Sequence, residues 1–254
     1  MTLYCNLPTN STEDVDSSQS AMTAVSRSIP RRTRDVLVMI RTQEAFNFYS
    51  HLAGAIAAIV GTIFLINIAT ESASLLITAL VYGLSITFLF SASSLYHAFK
   101  KKENELSFWR KMDRLAIFFM IAGSYTPICY FFLDDEWLIP MISIQWGLVA
   151  FGLCSQLFFP RAPRIIYAII FLIMGWMLIF PIQQIIDAMT TEQAYLLFIG
   201  GAAFTLGAII YAIKKPLMLP GIFSFHELFH VMVLIGGVCH YAVIYSAFSQ
   251  YGLA

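Results

Sequence analysis

Charge is what this chain of 254 residues has least of: Asp, Glu, Lys and Arg make up 12% of it, about half the share of a soluble domain. The net formal charge is zero, so no overall pull toward nucleic acid exists and none is expected as a partner. None of the four cysteines, Cys5, Cys129, Cys154 and Cys239, stands in a CxxC pair. Cys129 and Cys154 are expected near opposite membrane faces, which makes them poor disulfide partners and buried small apolar residues. Residues 1–43 are rich in Ser, Thr, Asp and Arg and lack the apolar run of a signal peptide. They read as a cytoplasmic tail, disordered over 1–34. Residues 35–40 are more apolar and read either as a surface-lying lead into the first helix or as a plain linker.

What the chain has in abundance is apolar residues, 59% of the total. A bilayer core of about 30 Å needs about 20 mostly apolar residues as helix. The segments 46–69, 74–99, 113–132, 137–159, 163–186, 193–213 and 222–248 meet this. They are separated by Glu71, Lys100–Lys102, Asp134–Glu136, Pro160 with Pro163, Asp187, and Lys214–Pro220. Because a backbone in hydrocarbon must satisfy its own hydrogen bonds, the expected fold is an all-α integral membrane protein of seven transmembrane helices over residues 44–254.

Every Lys and Arg lies in the tail or in, or at the helix ends beside, the second, fourth and sixth connections. The first, third and fifth connections and the C-terminus have none. The positive-inside rule then puts the N-terminus in the cytoplasm and the C-terminus outside.

Ionisable groups inside a span cost roughly 2.5–3.5 kcal/mol each on insertion scales. His51, His97, Asp113, His226, Glu227, His230 and His240 therefore each ask for a reason, and all five histidines are among them. His97 precedes Lys100 by one turn, Asp113 sits beside Lys111 and Arg114, and His226 and His230 follow Lys214 and Lys215. These four share one level near the inner leaflet. His51 is on the inner half, and His240 is deeper.

His226 and His230 are i and i+4, so they share a helix face and can bind one metal ion. His97 from the second span would complete a three-histidine zinc set with one position open, the arrangement of a catalytic site. Asp113 would either accept a hydrogen bond from a water there or bind the metal itself. The plainer alternative is a pair with neighbouring Arg114 or Lys111. Ser93, four residues before His97, shares its face and points into the same cavity or serves packing alone. Glu44, Asn47 and His51, at i, i+3 and i+7, are expected to brace the cluster or the cytoplasmic surface through hydrogen bonds. His51 and His240 otherwise read as interhelical hydrogen-bonding groups. Gly200-Gly201 and Gly207 allow close helix contact, within or between chains.

His226-Glu227-Leu228-Phe229-His230 also matches HExxH, in which the Glu is a general base. Intramembrane proteases of that kind take a further ligand from a later helix. Here the motif lies on the last span, which counts against the protease reading.

Several pieces together resemble one family. They are Glu44-x2-Asn47-x3-His51, Ser93-x3-His97, Asp113, Gly123-Ser124-Tyr125-Thr126-Pro127, His226-x3-His230 and Cys239-His240-Tyr241. They resemble the hemolysin III-like branch of the progestin and adipoQ receptor family, over residues 44–246. The resemblance implies zinc on His97, His226 and His230, with Asp113 contacting the metal-bound water and Ser93 nearby. It also implies a link to ceramide hydrolysis, membrane lipids as partners and an acyl lipid as substrate. The short tail and Glu227 inside the histidine pair look like the bacterial branch, implying a bacterial plasma membrane. Outer connections of a few residues depart from the receptor pattern.

Three functions follow as expectations: a zinc-dependent hydrolase of amide-linked lipids, with Asp113 and Ser93 as catalytic groups; a receptor or regulator with structural zinc; and a haemolysin-type pore. A pore has least support, because the spans offer no ring of like charges and no continuous polar stripe.

Overall fold

The computed structural model describes residues 42–70, 72–101, 105–216 and 223–251. The expected tail up to residue 41, with its 35–40 stretch and Cys5, lies outside the described residues, as do Glu71, Lys102 and Pro220. The elements are α1 (Thr42–Ile68), α2 (Ala73–Phe99), α3 (Phe108–Phe132), α4 (Asp135–Phe158), α5 (Arg164–Trp176), a 3₁₀ turn (Met177–Ile179), α6 (Ile182–Ala188), α7 (Thr191–Ile213) and α8 (Phe225–Tyr251). Six of these helices are long and apolar enough to cross a membrane, or seven crossings if α5 and α6 count as one.

The helices start where short polar side chains take up the free N–H groups of a first turn. Ser72 accepts from Leu75 N and Ser107 from Arg110 N. Asp134 accepts from Trp137 N, and Thr190 forms a reciprocal box with Gln193. Ser107 starts α3 five residues ahead of the expected 113, so Asp113 stands in its second turn.

The expected unbroken span 163–186 is a correction. Between α5 and α6 the chain bends by 61°. Pro181 lacks an N–H and its ring crowds the carbonyl four residues back, and the helix gives way there to the 3₁₀ turn Met177–Ile179. Neighbouring helices satisfy the freed backbone, as hydrocarbon requires. The Tyr125 hydroxyl donates to Gly175 O at 2.9 Å and accepts from Leu178 N at 3.1 Å. Gln145 Nε2 donates to Met174 O at 2.9 Å.

Sequential helices pack as antiparallel neighbours from α1 to α4, α7 packs on α8, and α8 returns against α1. Helix α5 rests on α7 and touches α3. Glycines allow the closest approaches: a Cβ at Gly123 would collide with Ser85 across α2 and α3, and one at Gly200 would collide with the His240 ring across α7 and α8. Gly207 faces Met232, so Gly200 and Gly207 serve contacts inside the chain, while Gly201 has nothing within 4 Å.

The surface is inverted relative to a soluble protein, with Ile56, Ile63, Leu84 and Phe158 exposed and Asn47, His51, Gln145 and His230 buried. Cys154, expected to be buried, is exposed beside Phe151 and Leu153, whereas Cys129 is buried. Lipid tails are as apolar as a protein core, so an apolar residue in a span has no need of burial.

Contacts tie the ends of the helices into two faces. At one, Lys100 bonds Glu44, Arg114 donates to Pro160 O, and the Arg164 guanidinium lies 5.6 Å from the Tyr211 ring centre. At the other, Ser74 meets Tyr130 and Gln193 meets Ser246.

Candidate metal centre

The C-terminal turn of α2 and the first two turns of α8 meet at the basic face. His97 ends α2, and His226 and His230 stand one turn apart on α8. One nitrogen from each of the three lies within 4.8 Å of the others. His97 Nε2 and His226 Nε2 are 3.3 Å apart. Ligands at zinc–nitrogen distances of about 2.0–2.1 Å on a tetrahedron stand about 3.3 Å from one another. One edge already has that length, and the third nitrogen lies within 4.8 Å of both.

The donor chemistry fits a cation as well. His97 Nδ1 is 2.6 Å from Glu44 Oε2, and Lys100 Nζ donates to Glu44 Oε1 at 2.6 Å. A carboxylate on Nδ1 holds that nitrogen as the N–H donor and turns the Nε2 lone pair toward the cluster, the carboxylate–histidine arrangement of many metal sites. His230 Nδ1 is buried without a hydrogen-bond partner. Three imidazoles converging in a buried pocket can therefore hold a metal ion.

Glu227 is not placed as an HExxH base. Its Oε1 accepts from Asn47 Nδ2 at 2.9 Å. Its Oε2 accepts from Ser224 N at 2.7 Å and Ser224 Oγ at 2.8 Å. It caps the start of α8 and ties it to α1. Glu227→Gln should therefore keep zinc content within about twofold of wild type while lowering the melting temperature in detergent, since a bond to a charged acceptor is worth about 1.5–3 kcal/mol. An unchanged melting temperature would remove the capping role.

The other polar residues take distinct places. Glu44 reaches the cluster directly, whereas Asn47 bonds Glu227 and so ties α1 to the start of α8. His51 stacks on His230 with ring centres 3.8 Å apart, edge-on to Phe90, and neither ring nitrogen has a partner. It touches the cluster by its ring and not by the expected hydrogen bond. His240 packs on Phe204, with both ring nitrogens buried and unpartnered.

A cavity of about 1090 Å³ runs from this cluster toward His240, between α3, α5, α7 and α8. Ser93, Asp113, His226 and His230 line its polar end, and Leu89, Ile117, Phe171 and Phe204 line the apolar part. Asp113 is outside the group of mutually close ligand atoms. Its carboxyl lies beside the Ser93 hydroxyl, with His97, Arg110 and Arg114 in electrostatic reach. Tyr96 and Tyr211, both near Asp113, were not foreseeable as site residues. Tyr96 adjoins His97 in sequence, but Tyr211 carries no local signal.

Fold and site together define a multi-pass helical membrane protein with a three-histidine cluster under one face. The chain belongs to the haemolysin-III related family, whose pattern matches residues 39–241. Within it, the chain falls in the hemolysin III-like branch of the progestin and adipoQ receptor family. It is 32% identical to Hemolysin-3 of Bacillus cereus over 196 residues, covering 76% of this chain and 86% of the relative. It is 26% identical to the human Monocyte to macrophage differentiation factor over 80% of this chain and 83% of the relative. It is also 26% identical to the ADIPOR-like receptor IZH2 of Saccharomyces cerevisiae, over 78% and 69%.

Proposed function

We propose that this protein is a zinc-dependent hydrolase of amide-linked membrane lipids, active in lipid homeostasis. The observation that carries the reading is the cavity: it reaches Ser93, Asp113 and two of the histidines at one end and continues between apolar side chains. A regulator with structural zinc calls for a sealed site, which such a cavity does not provide.

In this reading the bent α5–α6 pair is one crossing of seven. The described bases Lys100, Arg110, Arg161, Arg164 and Lys214 lie at the cytoplasmic face, and Asp134, Asp187 and Glu192 lie at the opposite one. The N-terminus is then cytoplasmic, and the membrane is the bacterial plasma membrane.

His97, His226 and His230 would hold the zinc, with Glu44 orienting His97. Bound there, zinc supplies Lewis acidity and brings a water toward a pKa of about 7. Asp113 takes up the proton of the attacking water and returns it to the departing amine. The Ser93 hydroxyl donates to the oxygen of the carbonyl under attack. Leu89, Ile117 and Phe204 hold the acyl chain out of water.

Purified protein loaded with zinc should hydrolyse N-acyl lipids in mixed micelles, and His230→Ala should reduce turnover at least a hundredfold. Release of free fatty acid, followed by mass spectrometry, checks it. Equal turnover by both proteins, or none by either, overturns the hydrolase.

A further inference from the structure

The mouth of the cavity carries more positive charge than a neutral lipid would need. Lys100, Arg110, Arg114, Arg164 and Lys214 all line it. The carboxylates in the same lining are Glu44, Asp113 and Glu227, so the bases exceed them by two. Glu44 is engaged by His97 and Lys100, and Glu227 by Asn47 and Ser224.

Three arginines from α3 and α5 share this lining. Tyr211 has Arg110, Arg114 and Arg164 all within electrostatic reach, together with Asp113. The Arg164 guanidinium lies over the ring faces of Tyr211 at 5.6 Å and Phe225 at 6.0 Å. Arg114 is 8% exposed, donating to Pro160 O and lying over the Tyr167 ring at 4.9 Å. Bases near the ends of spans set membrane orientation, and that rule does not require them to line a cavity. Arg110, Arg114 and Arg164 lie within α3 and α5 and line the cavity that holds the histidine cluster.

We infer that the mouth binds a phosphate-bearing head group, so that the lipid occupying this cavity is anionic. Guanidinium forks match phosphate oxygens in pairs, and a ring-stacked arginine is already oriented to use them. The apolar depth takes the acyl chain, which places a linkage between chain and head group beside the histidines. This inference rests on the cavity being the substrate site.

The test uses full-length, zinc-loaded protein and three probes: an N-palmitoyl amino alcohol, the same molecule phosphorylated on its hydroxyl, and inorganic phosphate. Binding is measured by native mass spectrometry, apart from turnover. The phosphorylated lipid should bind at least tenfold more tightly than the neutral one. That preference should fall below threefold in the double variant Arg164→Gln/Lys214→Gln and persist in Arg161→Gln, whose arginine lines a separate groove. Wild-type zinc content in the variants reports that the fold is kept. Equal binding of the two lipids, or a preference that survives the double substitution, overturns the inference. Inorganic phosphate displacing the acidic lipid at equal concentration overturns it too, and assigns a free-anion site. Preferential binding without turnover of either lipid retains the inference and removes the hydrolase. Turnover of the neutral lipid with no binding preference does the reverse.

Discussion

His97→Ala, purified in zinc and then dialysed, is expected to retain less than about a tenth of the wild-type metal. The loss should be this large because α8 supplies two nitrogens from one helix face, and only the nitrogen from α2 turns that pair into an enclosing set. Removing it also takes one of two partners from the Glu44 carboxylate, leaving Lys100. His226→Ala should behave alike, and Glu44→Gln should be milder. Partners that orient a ligand contribute about 10–100-fold in metal affinity, or about 1.4–2.7 kcal/mol. The ordering of the three variants, with both histidine variants below Glu44→Gln, is the informative part. It is read by elemental analysis beside a competition titration with a chromogenic chelator. Full metal content in His97→Ala would mean that the cluster is not the binding site.

Asp113→Asn should lower hydrolysis by about 10²–10⁴-fold, the usual span for a proton-transfer group, and leave metal content within about twofold of wild type. The two readouts part because Asp113 lines the cavity beside Ser93 without belonging to the ligand group. Asparagine keeps the size and the hydrogen-bonding edge of the side chain and removes its ability to take a proton. Fatty-acid release and zinc stoichiometry on one preparation decide the matter. Loss of zinc in parallel with activity would make Asp113 a ligand, and unchanged activity would remove it from the chemistry.

Much of the centre is legible in the sequence. The i, i+4 pair His226 and His230 fixes two side chains on one face through helix geometry alone. The position of His97 beside Lys100, and of both α8 histidines after Lys214, sets them at one depth, because basic residues mark one membrane face. Glu44 was foreseeable as a brace, though not its atom: the bond to His97 Nδ1 spans 53 residues of sequence. Glu227 was ambiguous, since HExxH and a serine-led cap write the same letters. The bond from Asn47, 180 residues away, together with Ser224, decides between them. The break at Pro181 had a local signal, but the apolar residues on both sides masked it.

The sequence alone determined the helices apart from the break at Pro181, their approximate ends, the charged face and the shared face of the α8 histidines. Each of these follows from forces acting within a few residues or between chain and bilayer: apolar burial over about 20 positions, capping at the first turn, and 3.6-residue periodicity. Tertiary structure alone decided that α2 ends against the start of α8, that Glu227 is a structural group, and that a cavity opens between α3, α5, α7 and α8. Those outcomes depend on how close helices distant in sequence can approach. That distance is set by side chains meeting across an interface, as at Gly123 against Ser85 and Gly200 against His240, and no local pattern encodes it.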